Sequence, residues 1–101
     1  LEKLKGIQRK YLKGIAHHIK PVVFIGQKGF TDTVSQSVDE ALKFHELIKV
    51  KFTDCKEQKE DIAGMIEKKT ESEMIGMIGH IAIFFRQHKD PKKRKITLPE
   101  R

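Results

Sequence analysis

Between residues 3 and 19 the apolar positions Leu4, Ile7, Tyr11, Ile15 and Ile19 recur every three or four residues, with Leu12 and Ala16 widening the stripe. That period predicts an amphipathic helix, and Pro21 ends it, because the residue before a proline is pushed out of the helical region. Val22 to Ile25 are apolar without a break, the pattern of a short strand covered on both faces, as in parallel sheets. Thr31 then stands as a helix N-cap with Asp32 in the first turn. Val34, Val38, Ala41 and Leu42 supply the buried stripe of a second helix running to about Phe44. Ile48, Val50 and Phe52 alternate with Lys49 and Lys51, which predicts a half-buried strand.

Asp54 followed three residues later by Glu57 has the form of a capping box, and Ile62, Met65, Ile66 and Lys69 continue a third helix to about Lys69. From Glu73 the chain turns strand-like, Met74 to Ile78 and then Ile81 to Arg86, broken by Gly79 into a hairpin or bent pair. The last stretch, QHKDPKKRKITLPER, holds two prolines and little apolar content. It predicts a basic, extended tail over 87–101 with a short strand at Ile96 to Leu98. The order is thus α-β-α-β-α-β-β. A right-handed crossover makes the first two strands parallel, the closing hairpin adds antiparallel pairing, and the expected fold is an α/β (α+β) mixed sheet packed by helices. A chain of 101 residues is expected to be one domain.

Two G-x-x-G spacings interrupt this pattern. Gly76-Met77-Ile78-Gly79 lies in strand context, where its glycines mark a bulge, a tight hairpin or a close backbone approach. Gly26-Gln27-Lys28-Gly29 lies between a strand and a capped helix start, where backbone N–H groups and the helix dipole favour an anion. Glycine there lets the backbone approach a phosphate without a Cβ in the way; Lys28 adds a point charge and Gln27 a hydrogen-bonding amide. Neither the P-loop pattern nor the dinucleotide fingerprint is present, which disfavours a nucleotide-binding enzyme. A short G-x-x-G loop between structured elements is how KH domains clamp a nucleic-acid backbone.

Charge strengthens that reading. The net charge is +7, and it is uneven: +5 over residues 1–20, −3 over 21–85 and +5 over 86–101. Basic ends around a mildly acidic middle point to a polyanionic partner, nucleic acid before acidic membrane. The exposed face of the first helix, with Arg9, Lys10, Lys13 and His17, and Lys20 just beyond it, is the candidate surface beside the loop. Lys92 to Lys95 are either a phosphate-contacting arm or a solubilising end.

In sequence order, LKGIAHHIKP from Leu12 to Pro21, IGQKGFT from Ile25 to Thr31, HELIKV from His45 to Val50, then Ile78-Gly79 and Phe85-Arg86 resemble the YhbY family. Its module is also called the CRM domain, for chloroplast RNA splicing and ribosome maturation. The resemblance runs from about residue 3 to residue 98 and implies a single RNA-binding domain over 1–98. It also implies a four-stranded mixed sheet similar to the C-terminal domain of translation initiation factor three, KH-like, with the loop exposed. Members associate with precursors of the large ribosomal subunit, so ribosomal RNA is the implied partner and ribosome assembly the implied role. Alternatives are a group II intron splicing factor domain, or a basic protein-interaction or membrane-surface module. By position the resemblance assigns Gly26, Gln27, Lys28 and Gly29 to RNA. It also has two departures: His80 where Arg is common, and Phe85 where Tyr is common.

Other chemistry is thin. Five histidines and lone Cys55 show no metal-ligand spacing and no nucleophile–base pairing, so no metal, cofactor, small-molecule substrate or enzyme activity is expected. One cysteine precludes an internal disulfide and fits a reducing, cytoplasmic setting. The longest apolar run, Ile81 to Phe85, is far too short to span a bilayer. No membrane partner is expected, and the protein is read as a monomer. Phe24, Phe44, Phe52, Phe84 and Phe85 are expected in the core, and Phe30, next to the loop, is read as packing too.

Overall fold

A computed structural model describes residues 3–100; Leu1, Glu2 and Arg101, which the expected domain and tail limits include, lie outside the described residues. The elements are α1 (Gly6–Ala16), β1 (Val23–Ile25), α2 (Asp32–His45), β2 (Leu47–Phe52), α3 (Lys59–Thr70), β3 (Glu73–Ile78) and β4 (Ile81–Phe85). The sheet order is β1-β2-β4-β3, with β1 parallel to β2 and both other pairings antiparallel. The predicted order and mixed sheet are those observed.

Strand alternation gives the sheet two apolar faces. Val23, Ile25, Ile48, Val50, Phe52, Ala82 and Phe84 face α2 and α3, where Val38, Leu42, Ile62 and Ile66 complete the larger core. Leu47, Ile83 and Phe85 face the other way, and Leu12 and Ala16 of α1 close a smaller core over them with Ile75. The predicted α1 stripe is therefore rotated: Leu12 and Ala16 are its buried centre, while Ile7 and Tyr11 stay half exposed. The helix also stops at Ala16, five residues before Pro21, and His17 and His18 form a turn into the extended lead to β1.

Several other expectations are corrected. β1 is covered on one face only: Phe24, between buried Val23 and Ile25, is 55% exposed. Phe44 is 67% exposed at the end of α2, whereas Phe52, Phe84 and Phe85 are core and Phe30 packs against it. Met65 and Lys69 also lie outside the buried face of α3. The capping box at Asp54 and Glu57 does not form. Instead the Asp54 carboxylate accepts the Cys55 N–H, Cys55 turns left-handed, and a short 3-10 turn at Lys56–Gln58 leads into α3. Thr31 does cap α2, its Oγ1 accepting the Val34 N–H at 3.2 Å.

The largest departure is the tail. No strand forms at Ile96 to Leu98; both side chains pack on the smaller core, as do Leu4, Ile15 and Ile19. The fastening is Glu46, 1% exposed at the C-cap of α2. Its carboxylate accepts the N–H groups of His88 (2.7 Å), Lys95 (2.7 Å) and Ile96 (2.9 Å). Low apolar content predicted an extended tail, yet three backbone donors on one buried carboxylate, together with Ile96 and Leu98 on the smaller core, hold it down.

Arg86, at the end of β4, ties the helices to the sheet. Its guanidinium donates to Asp39 Oδ1 and the Thr70 carbonyl, each at 2.7 Å, and to the Asp39 carbonyl at 3.1 Å. The Arg86 hydrogen bond holds the Asp39 carboxyl below the usual carboxylate range. A depressed carboxylate stabilises the fold above its unfolded value, near 4, and that contribution is lost as pH falls through the lowered folded value. Asp39→Asn is therefore expected to cost about 0.5–1 kcal/mol at pH 7, moderated by solvent screening, since the Asp39 side chain is 40% exposed. In urea melts the gap between variant and parent should close as pH falls through the lowered folded value; a constant gap would mean the carboxylate charge is not what matters.

Candidate nucleic-acid interface

The end of β1 is pinned before the glycine turn begins. The Ile25 carbonyl accepts Thr53 N at 2.9 Å, Asp54 N at 3.2 Å and Thr53 Oγ1 at 3.0 Å, which fixes where Gly26 leaves the sheet. Gly29 N–H then donates back to the Gly26 carbonyl at 3.0 Å, closing a four-residue turn with Gln27 and Lys28 exposed at its tip. The turn needs φ = +68° at Gly29, a conformation that disfavours any Cβ. Beneath it, Cys55 Sγ contacts the Gly26 and Gln27 carbonyls at 3.5 and 3.6 Å. A side chain at Gly26, by contrast, would meet nothing within 4 Å, so the free fold makes no steric demand for glycine there.

Thr31 already serves the α2 N-terminus, and Asp32 puts its own carboxylate in the first turn. An anion is thus better placed over Gln27 and Lys28 than on the helix end itself. Neighbouring elements add cations. Lys56 follows Cys55, which touches the turn, and Lys59 Nζ donates to the Gly79 carbonyl at 2.7 Å in the β3–β4 hairpin. His80, in the same hairpin, lies with Nδ1 3.4 Å from Lys59 Nζ. Desolvation against the hairpin, then the Lys59 and Lys56 charges, hold His80 below the ordinary histidine value, so it is neutral near pH 7. Lys59 supplies the positive charge at the place where the resemblance leads one to expect Arg.

The expected helix residues divide. Lys10 and Lys13 on α1, His17 in the turn after it and Lys20 beyond are exposed. Arg9 is not free: it forms an ion pair with Glu73 and donates to the Met74 carbonyl at 3.1 Å, bolting α1 to β3. Lys13 is the member drawn towards the sheet. An ideal Cβ on Gly76 would sit 3.1 Å from Lys13 Cε, so the bare backbone at Gly76 lets the lysine stem cross β3. One glycine of the second pair therefore helps place a lysine of the candidate surface. The other, Gly79, forms the hairpin with His80, and the β3–β4 ladder shifts register between Met74 and Gly76.

Sequence patterning missed Lys51, Lys56, Lys59 and Glu46. Alternation in β2 placed Lys51 opposite the core; only the β1–β2 register, which sets Phe24 beside Lys51, ties it to the turn. The backbone of the basic tail is held by Glu46 and by Arg94 Nε donating to the His88 carbonyl at 2.8 Å, while the side chains of Lys92 to Lys95 remain exposed. Among the described residues no cluster of three or more His, Cys, Asp or Glu could hold a metal, and no helix is long and apolar enough to cross a membrane.

Comparison with known proteins places this geometry in context. Residues 4–86 match the CRS1 / YhbY (CRM) domain. A Haemophilus influenzae protein named an RNA-binding protein is 39% identical over 95 residues, spanning 93% of each chain. A Bacillus subtilis protein named a probable RNA-binding protein is 34% identical over 97 residues, 95% of this chain and 99% of that one. The solution structure of a hypothetical Staphylococcus aureus protein superposes with a TM-score of 0.79 at 32% identity, covering 96% of this chain and all of the other.

Proposed function

The chain belongs to the CRS1 / YhbY (CRM) domain family, and from that premise we propose that it binds RNA by backbone contacts at the Gly26–Gly29 turn. The observation that carries the reading is the turn itself: closed, braced by Cys55, tipped by exposed Lys28, and with Lys56 next in sequence to the bracing cysteine. The names of the relatives support the same partner. Such contacts fix position and orientation without reading sequence, so the target is chosen by RNA shape. We further propose that the target is ribosomal RNA in precursors of the large subunit, and that the protein assists assembly non-catalytically.

Three to five neutralised phosphates give a log affinity against log salt slope of roughly −2 to −4 on single strands. Lys28→Ala is expected to weaken binding and lessen that slope by about 0.7. Gly26→Ala is the sharper probe. Open space around Gly26 predicts unchanged or slightly raised thermal stability, yet its methyl group stands where a phosphate must approach. Fluorescence anisotropy with ribosomal RNA fragments, and anionic vesicles as the control, separates the readings. A flat salt slope, or vesicle binding that outlasts RNA binding, would count against the proposal.

A further inference from the structure

The face of the sheet that carries α1 is covered at one end only. α1 lies over Leu47, Ile75, Ile83 and Phe85, and Lys13 crosses β3 at Gly76, the partner of Ile83. Two residues further along the strands, roughly 7 Å away, a cross-strand row lies beyond the helix, with Ile81 half-buried and the other members exposed. Its members in sheet order are Phe24, Lys51, Ile81 and Ile78, paired Phe24 to Lys51, Lys51 to Ile81 and Ile81 to Ile78. Their neighbours in sequence, Val23, Ile25, Val50, Phe52, Ala82 and Met77, all point into the larger core, so alternation puts the whole row on the α1 face. Phe24 is 55% and Ile78 62% exposed. With strands about 4.8 Å apart the row is roughly 14 Å wide, and the Gly26 turn begins two residues past Phe24.

We propose that this row is a nucleobase platform: an RNA strand whose phosphates rest on the Gly26–Gly29 turn lays unpaired bases against Phe24, Ile81 and Ile78. The inference rests on the RNA reading above and gives that site its substrate class, unpaired rather than duplex RNA. Charge selects this occupant over an apolar peptide or a second copy of the chain. Lys51 stands within the row, Lys49 and Lys13 border it on the α1 side, and Lys28 borders it at the turn. The carboxylate that strand parity puts on this face, Glu73, is at the covered end and paired with Arg9, while Asp54, just past β2, is engaged with Cys55 N–H. An aromatic face and branched apolar side chains set among lysines match single strands, whose bases can be splayed onto a protein surface, and not an A-form helix, whose bases are stacked and paired.

The test uses the full chain, a uridine octamer and an adenine octamer carrying 2-aminopurine, and a blunt RNA duplex. Phe24→Ala is expected to weaken octamer binding roughly 5- to 150-fold, to abolish the 2-aminopurine signal change, and to leave the salt slope unchanged. Phe24→Leu keeps apolar area without a π-face and should recover little of the loss; Phe24→Tyr should recover most of it. Phe24 is exposed, so thermal melts of all three variants should match the parent. If Phe24→Ala binds octamers as the parent does while Lys28→Ala and Gly26→Ala are weakened, the platform is wrong and the turn reading survives. If the parent binds none of the three RNAs, both fail. Concentration-dependent dimerisation abolished by Phe24→Ala, with RNA binding intact, would assign the row to a second copy and overturn the proposal.

Discussion

Glu46→Ala is expected to lower stability by about 3 kcal/mol, because the variant deletes three hydrogen bonds to a charged acceptor, each worth about 1.5–3 kcal/mol and only partly additive. The donors are backbone N–H groups of His88, Lys95 and Ile96, so the loss falls on the tail: their amides should exchange rapidly together. Two further variants separate charge from backbone. Glu46→Gln can keep the Lys95 and Ile96 bonds on its oxygen but turns an NH2 towards His88 N–H, donor against donor, and should cost about 1–3 kcal/mol. Glu46 also holds φ = +61°, so Glu46→Gly relieves backbone strain and should be less damaging than Glu46→Ala by about 1 kcal/mol. Equal stability of parent and Glu46→Ala would mean the fastening contributes nothing.

Leu12→Ala is expected to cost about 3 kcal/mol, within the usual range for truncating a fully buried leucine. Leu12 is 0% exposed at the centre of the smaller core, which is built from α1, one face of the sheet and the tail. The larger core contains no α1 residue. Native-state hydrogen exchange should therefore show α1 amides opening separately while β2 and β4 keep global protection. Arg9 and Lys13 lose their placement with the helix, so RNA affinity should fall as well. A uniform loss of protection across both cores would contradict this division.

How far the letters carried can be judged residue by residue. Thr31, the Val34–Leu42 stripe and the β2 alternation act locally, through periods of 3.6 and 2.0 and one side-chain cap, and each forms as patterned. What failed depends on registry between distant segments. Phe24 has the composition of a buried residue, but β1 is an edge strand that α1 does not reach. The HELIK stretch read as a family mark, and the structure gives its letters separate physical tasks. Glu46 fastens the tail, Leu47 enters one core and Ile48 the other. Arg86, quoted in the same mark, clips β4 to α2 and α3. The glycine turn was legible as a position; its brace by Cys55, 28 to 29 residues away, was not.

The smaller core joins α1 to the tail. Leu4, Ile15, Ile96 and Leu98 all pack on it, and Gln8 Nε2 donates to the Pro99 carbonyl at 3.0 Å. During synthesis the larger core can close once Phe84 has emerged, since its members run from Val23 to Phe84. α1, made before all of them, must wait for Ile96 and Leu98 before its apolar side is fully covered, and closing so long a loop is slow to nucleate. The helix that carries Lys13 is therefore made before the larger core and sealed after it, which makes completion of the surface around the turn a late event in folding.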